Sequence, residues 1–99
     1  MDININAVKF TADPKLEEFI NGKVEKLSKY SDDIIGAEVF LRVDKPQSED
    51  NKIVEIKLNV PKAEFFAKKQ SSSFEESVDS ACEALKKQII KQKEKVKAA

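Results

Sequence analysis

Residues 37–60, AEVFLRVDKPQSEDNKIVEIKLNV, contain two runs in which the side chains alternate. Ala37, Val39, Leu41 and Val43 are interleaved with Glu38, Phe40 and Arg42, and Val54, Ile56, Leu58 and Val60 with Glu55, Lys57 and Asn59. Successive side chains of a strand point to opposite faces, so each run predicts a strand buried on one side. Asp44 to Asn51 contains Pro46 and no apolar residue, which predicts a long hairpin loop between them. Pro61 has no backbone N–H to offer a ladder and ends the second run. Beyond a tight turn at Pro61-Lys62, Phe65 and Ala67 predict a short further strand.

Upstream, Ile3 and Ile5 alternate with polar neighbours, and Val8 and Phe10 continue with the alternation shifted by one, as in a strand with an irregularity near Asn6-Ala7. Asp13-Pro14 suits a helix start: the carboxylate accepts from free backbone donors and proline fits the first helical position. From there to about Tyr30, Leu16, Phe19, Ile20, Val24 and Leu27 recur at three and four residues and make one apolar stripe, weakened slightly by Gly22. Downstream, Ser72-Ser73-Phe74-Glu75 matches a capping box. It opens a long amphipathic helix with Phe74, Val78, Ala81, Cys82, Leu85 and Ile89 on its apolar side, expected to fray after Lys93.

The predicted fold is α+β, with element order β-α-β-β-β-α in one domain spanning residues 1–99, its basic tail starting near residue 94. Two helices and one four-stranded sheet pack most economically with both helices on one face. A helical crossover joins the first two strands, which makes them parallel and the connection right-handed. The remaining strands form an antiparallel meander.

The residue inventory excludes most chemistry. There is no histidine, which removes the common metal sites and histidine-based acid–base catalysis. Cys82 lies on an apolar stripe with no base beside it, so it is expected to pack in the core and not to act as a nucleophile. Loop solvation and helix capping account for Asp32-Asp33 and Glu75-Glu76. Gly22 and Gly36 are the only glycines, too few for a phosphate-cradling loop. No catalytic residue, metal, cofactor or small-molecule substrate is expected. The apolar groups are too short for a membrane span. The start Met1-Asp2-Ile3-Asn4 has no export signal, and a lone cysteine agrees with a reducing compartment, so the expected location is the cytoplasm.

Net charge is zero, 18 basic against 18 acidic residues, but the signs are segregated. From Lys86 onward six lysines (Lys86, Lys87, Lys91, Lys93, Lys95, Lys97) face one acid, Glu94, while the acids gather near loops and helix starts. At about 100° per residue, Lys87 and Lys91 project almost opposite the buried stripe of the second helix, with Lys86 on one shoulder and Lys93 nearer the core edge. On the first helix Lys23 flanks the stripe, snorkelling along the core edge, and Lys26 lies further out. On two helices packed side by side these lysines form one basic ridge suited to phosphate backbones. Each alone is equally a helix former on a solvated face. Ile90, among lysines on the outer face, and Phe40, on the polar side of its strand, are candidate partner contacts, although isolated exposed apolar residues are also ordinary.

Several stretches, in order, resemble the ribosome hibernation promoting factor family, also called ribosomal subunit interface or sigma-54 modulation proteins. They are Asp13-Pro14-Lys15-Leu16, Lys23 through Tyr30, Ile34-Ile35-Gly36-Ala37-Glu38-Val39, and Ser72-Ser73-Phe74 through Leu85-Lys86-Lys87-Gln88, together covering nearly the whole chain. The resemblance implies a fold related to the double-stranded RNA-binding domain. It also implies binding to ribosomal RNA at the decoding region of the small subunit, which excludes transfer RNA and messenger RNA and silences translation in stationary phase without catalysis. The contacts it implies are Lys23, Lys26 and Lys29 on the first helix and Lys87 and Lys91 on the second; Lys86 and Lys93 join them by their position on that helix. Glu17 and Ile90 stand where the family often has basic residues. The chain stops after the second helix, like the short form, and is expected to be monomeric off the ribosome. The alternative expectation is a protein-interaction module acting on a transcription factor such as sigma-54 through Ile90 and the sheet surface around Phe40.

Overall fold

The computed structural model describes residues 1–98 other than Pro46, Ser48 and Lys62, with side chains through residue 94. The side chains of the tail lysines Lys95 and Lys97, and the parts of the two predicted turns at Pro46 and Lys62, lie outside that description. The elements are β1 (Asp2–Ala7), α1 (Pro14–Glu25) continued by a 3₁₀ turn (Lys26–Lys29), β2 (Gly36–Val43), β3 (Lys52–Val60), β4 (Ala63–Ser71) and α2 (Phe74–Ala98). They form one four-stranded sheet in the order β1-β2-β3-β4, parallel between β1 and β2 and antiparallel thereafter. This is the predicted α+β arrangement.

Alternation in β2 and β3 does what the sequence requires of it. Val39 pairs with Ile56, which pairs with Ala67; Leu41 pairs with Val54 and Ala37 with Leu58, all buried on one face. Leu16, Ile20, Val24 and Leu27 from the first helix, and Val78, Ala81, Cys82, Leu85 and Ile89 from α2, complete the same core. Asp13 caps α1, accepting from the Lys15 backbone N–H at 2.8 Å, with Pro14 at the first helical position.

The two helices run in the same direction. Phe10, just before α1, stacks on Phe74 at the start of α2 with ring centroids 5.4 Å apart. Lys23 then meets Asp79 at 3.1 Å, and the Lys86 ammonium stands 5.2 Å from the Tyr30 ring centroid. Both sequence numbers rise together along the contact, so the C-terminal halves of the helices lie at one end of the molecule.

Three local expectations are corrected. The β1 alternation is unbroken through Ala7, and the irregularity falls at Val8 and Lys9, where Lys9 takes a left-handed φ of 65° and returns Phe10 to the core. β4 is not short: its nine residues pair along β3 from Val60↔Ala63 to Lys52↔Ser71, because an edge strand tolerates the polar run Lys68-Lys69-Gln70 on its open side. The cap of α2 is shifted by one residue. Ser73 Oγ accepts from the Glu76 backbone N–H at 3.1 Å, and Ser72 Oγ donates to the Glu76 carboxylate at 3.2 Å. Residues 94–98 continue as part of α2.

Gly36 opens β2 directly beside Asp2 of β1. A Cβ there would lie 2.9 Å from the Asp2 carbonyl oxygen, a backbone atom that cannot swing away. Gly36→Ala is therefore expected to lower stability by about 1–3 kcal/mol through displacement of β1. Urea unfolding measures this, and an unchanged midpoint would show that β1 gives way freely.

Polar ties fasten α2 to the sheet at two points. Ser77, fully buried on the apolar side of the helix, donates to the Lys52 carbonyl at 2.7 Å and lies 2.7 Å from the Ser71 hydroxyl. Eleven residues on, the Gln88 amide pairs with the open edge of β4, donating to the Phe66 carbonyl at 2.8 Å and accepting from its N–H at 3.3 Å. Gln88 thus stands in for one residue of a fifth strand. Gln88→Ala is expected to cost about 1 kcal/mol and to accelerate hydrogen exchange at the Phe66 amide. Exchange at Phe66 that matches the parent protein would mean that the amide contact gives no protection.

Candidate nucleic-acid interface

Lys26 and Lys29 are exposed on the 3₁₀ turn that ends the first helix, and Lys87, Lys91 and Lys93 are exposed on α2. Because the helices are parallel, these side chains gather at the end where both helices terminate. A helix C-terminus carries roughly half a negative charge from its unpaired carbonyls, which favours Lys26 and Lys29 in the last turn of the first helix. The opposite end collects Glu17 in the first turn of α1 and Glu75 and Glu76 in that of α2, each placed favourably against a positive helix start. Glu17 therefore has a local physical role where it stands.

Lys23 and Lys86 differ from the rest. The Lys23 ammonium lies 5.7 Å from the Phe19 ring centroid and is paired with Asp79 across the helices. Lys86 is half-buried over Tyr30. Between them runs a shallow groove that Asp79, Cys82 and Glu83 also line. Sequence reasoning missed Asp79 and Glu83 as neighbours of the lysines; it places Lys26 beside Tyr30, whereas Lys86 is the lysine over that ring. Helical spacing puts Asp79 and Glu83 on the same flank of α2 as Lys86, but which flank meets α1 depends on a helix–helix register that spacing does not carry.

Ile90 is 36% exposed, one turn beyond Lys86 on that flank. Phe40 belongs to a different surface. It lies in the row Asn6–Phe40–Glu55–Lys68 on the sheet face turned away from the helices, beside the Arg42–Glu55 ion pair. The two apolar candidates do not form one patch. Phe66, 48% exposed on the same outer face, is a larger exposed aromatic surface that the sequence reading counted only as part of a short strand.

Cys82 is buried at the floor of the groove. Burial, helped by the nearby Asp79 carboxylate, pushes its thiol from 9.0 up to about 11. A thiol so placed is inert at neutral pH. The sign of the linkage follows: with the folded value raised, the neutral thiol's contribution is complete below pH 9 and is lost as pH rises from 9 to 11. Folding stability is expected to drop by roughly 2–3 kcal/mol across that interval, beyond any drop seen in Cys82→Ala. Parallel alkaline stability curves for the two proteins would contradict this. Among the described residues no cluster of three or more acidic or cysteine side chains is arranged to hold a metal ion, and no helix is long and apolar enough to cross a membrane.

A sequence model of the family described as "Sigma 54 modulation protein / S30EA ribosomal protein" matches residues 3–97. The chain belongs to this family. A ribosome hibernation promoting factor from Azotobacter vinelandii is 26% identical over 95 residues, covering 96% of this chain and 85% of that one. Among solved structures, a ribosomal subunit interface protein from Coxiella burnetii superposes with a TM-score of 0.84 at 22% identity, covering 94% of this chain and 98% of that one. The N-terminal domain of Thermus thermophilus Protein Y gives 0.77 at 18% identity, covering 90% and 96%. At these identities the two structures establish the shared fold. Within the S30EA fold, the expected basic helices are present and lie side by side.

Proposed function

We propose that this protein binds the small ribosomal subunit and inhibits translation by seating its basic helical end on ribosomal RNA near the decoding region, where it excludes transfer RNA and messenger RNA. The observation that carries the reading is the convergence of exposed lysines from two parallel helices, Lys26 and Lys29 with Lys87, Lys91 and Lys93, at one end of a molecule whose net charge is zero. Lysine supplies point charge for phosphate without the bidentate geometry that reads a base, so the surface suits a backbone of fixed shape more than a sequence. The name of the Azotobacter relative, a ribosome hibernation promoting factor, supports the same reading.

The mechanism is occupancy. A folded body held at the decoding region blocks the ligands that need the space, and the free energy comes largely from counterions released as lysines replace them on phosphates. No catalytic group, metal or cofactor takes part. Lys23 and Lys86 border the contact surface, and Ile90 adds an apolar side chain at its edge. The protein acts in the cytoplasm, as a monomer until it meets the ribosome.

Sedimentation with purified small subunits tests this. The protein is expected to travel with the subunits at low salt and to be released as salt rises. The double variant Lys87→Glu, Lys91→Glu is expected to bind more weakly, its dependence of log affinity on log salt being shallower by roughly one per lysine. Protein left at the top of the gradient at every salt concentration refutes the proposal. A loss produced by Ile90→Asp but not by the lysine variants would favour capture of a protein partner instead.

A further inference from the structure

The lysines of the two helices fall into two electrostatic classes. Among the described residues Lys26, Lys29, Lys87, Lys91 and Lys93 form no ion pair, whereas Lys23 is held by Asp79 at 3.1 Å. The groove that contains this pair is lined by two ammonium groups, Lys23 and Lys86, and two carboxylates, Asp79 and Glu83, so its formal charge cancels. Both partners of the pair are partly solvated, with side-chain exposures of 34% and 61%, and pairs so exposed contribute little to stability. Their effect on a third charge is larger. A phosphate approaching Lys23 meets the Asp79 carboxylate in direct contact with the ammonium it seeks.

We propose that Asp79 limits the affinity of this protein for RNA: it occupies Lys23 and closes the groove between the helices to phosphate, leaving the outer lysines to hold the ribosome. The inference rests on the RNA-binding reading above. Asp79 is then a specificity residue. By silencing one lysine at the border of the basic surface it sets how many phosphates the surface engages, and its removal opens one more site.

Binding to purified small subunits across a salt series, for four proteins, tests the proposal: the parent, Asp79→Asn, Lys23→Gln and the double variant. Asp79→Asn is expected to bind tighter, on the order of 3- to 10-fold at low salt, with a salt dependence steeper by roughly 0.7–0.9, the increment of one added phosphate contact. Lys23→Gln alone is expected to keep the parent's salt slope, since its ammonium engages no phosphate, while the unpaired Asp79 carboxylate weakens binding by a few-fold. In the double variant the gain disappears. An unchanged salt slope for Asp79→Asn, a gain that persists in the double variant, or a shallower salt slope for Lys23→Gln would each overturn the proposal. Asp79→Ser serves as a second neutral variant should Asn perturb the fold, which thermal melting checks. If the Lys87→Glu, Lys91→Glu protein binds as well as the parent, the RNA-binding reading itself has failed; if it binds weakly while Asp79→Asn is silent, only this inference has.

Discussion

Two helices share one apolar sheet face, and their directions are fixed by the strands that precede them. The outer face cannot take either helix, because Glu38, Arg42, Glu55 and Lys57 occupy it. Both stripes must therefore be buried on the inner side, where each of Ile20, Val24, Leu85 and Ile89 gains about 1.5–3 kcal/mol by leaving water. β1 is parallel to β2, and two antiparallel steps make β4 parallel to β2 as well. A helix that follows β1 and a helix that follows β4 each return against their strand, so the two must be parallel to each other. Neither a hydrogen bond nor an ion pair decides this; strand order does.

Several features follow from that geometry. The long α2 extends past Ile89, the last buried residue among those whose side chains are described, carrying lysines beyond the edge of the core. A helix overhanging in this way holds its charges usefully only if its base is fixed. Ser77 and Gln88 do that, one through the Lys52 carbonyl at the start of β3 and the other through the Phe66 backbone on β4, about three turns apart. Neither tie is apolar, so each specifies position along the helix axis more sharply than the stripe between them, where one leucine resembles another. Gly36 makes the equivalent adjustment at the far side of the sheet, letting β1 close on β2.

The strands, the order of elements and the core were legible in the sequence because burial on one face imposes a period, and the period survives in the residue types. What escaped was polar. Ser77 lies on the apolar stripe of α2, three residues after Phe74 and four before Ala81, and was passed over because a hydroxyl is not counted as apolar even when the sheet supplies its partners. The cap slipped by one because three consecutive serines and two consecutive glutamates offer two overlapping boxes with the same spacing. β4 was underestimated because an edge strand is defined by its neighbour as much as by its own composition. Of the candidate interface, the exposed lysines could be found from helical angle alone. Their division into free and paired could not, since the pairing of Lys23 with Asp79 spans 56 residues and depends on the register of two helices.

On the proposed reading, a neutral molecule that offers one end to a polyanion is better suited to a single site than a basic one would be. With 18 charges of each sign, the distant attraction to RNA at large largely cancels, and salt at physiological strength screens what remains beyond about 8 Å. At shorter range, on that reading, Lys26, Lys29, Lys87, Lys91 and Lys93 are drawn toward phosphate while Glu17, Glu75 and Glu76 at the helix starts are repelled. The approach is therefore oriented before contact, and a docking with the acidic end inward is penalised by like-charge juxtaposition. The same logic applies inside the basic surface. A groove in which Lys23 and Lys86 are matched by Asp79 and Glu83 adds shape without adding general affinity for phosphate. Discrimination then rests on whether the whole end of the molecule fits its site, because no single lysine is strong enough to hold it anywhere else.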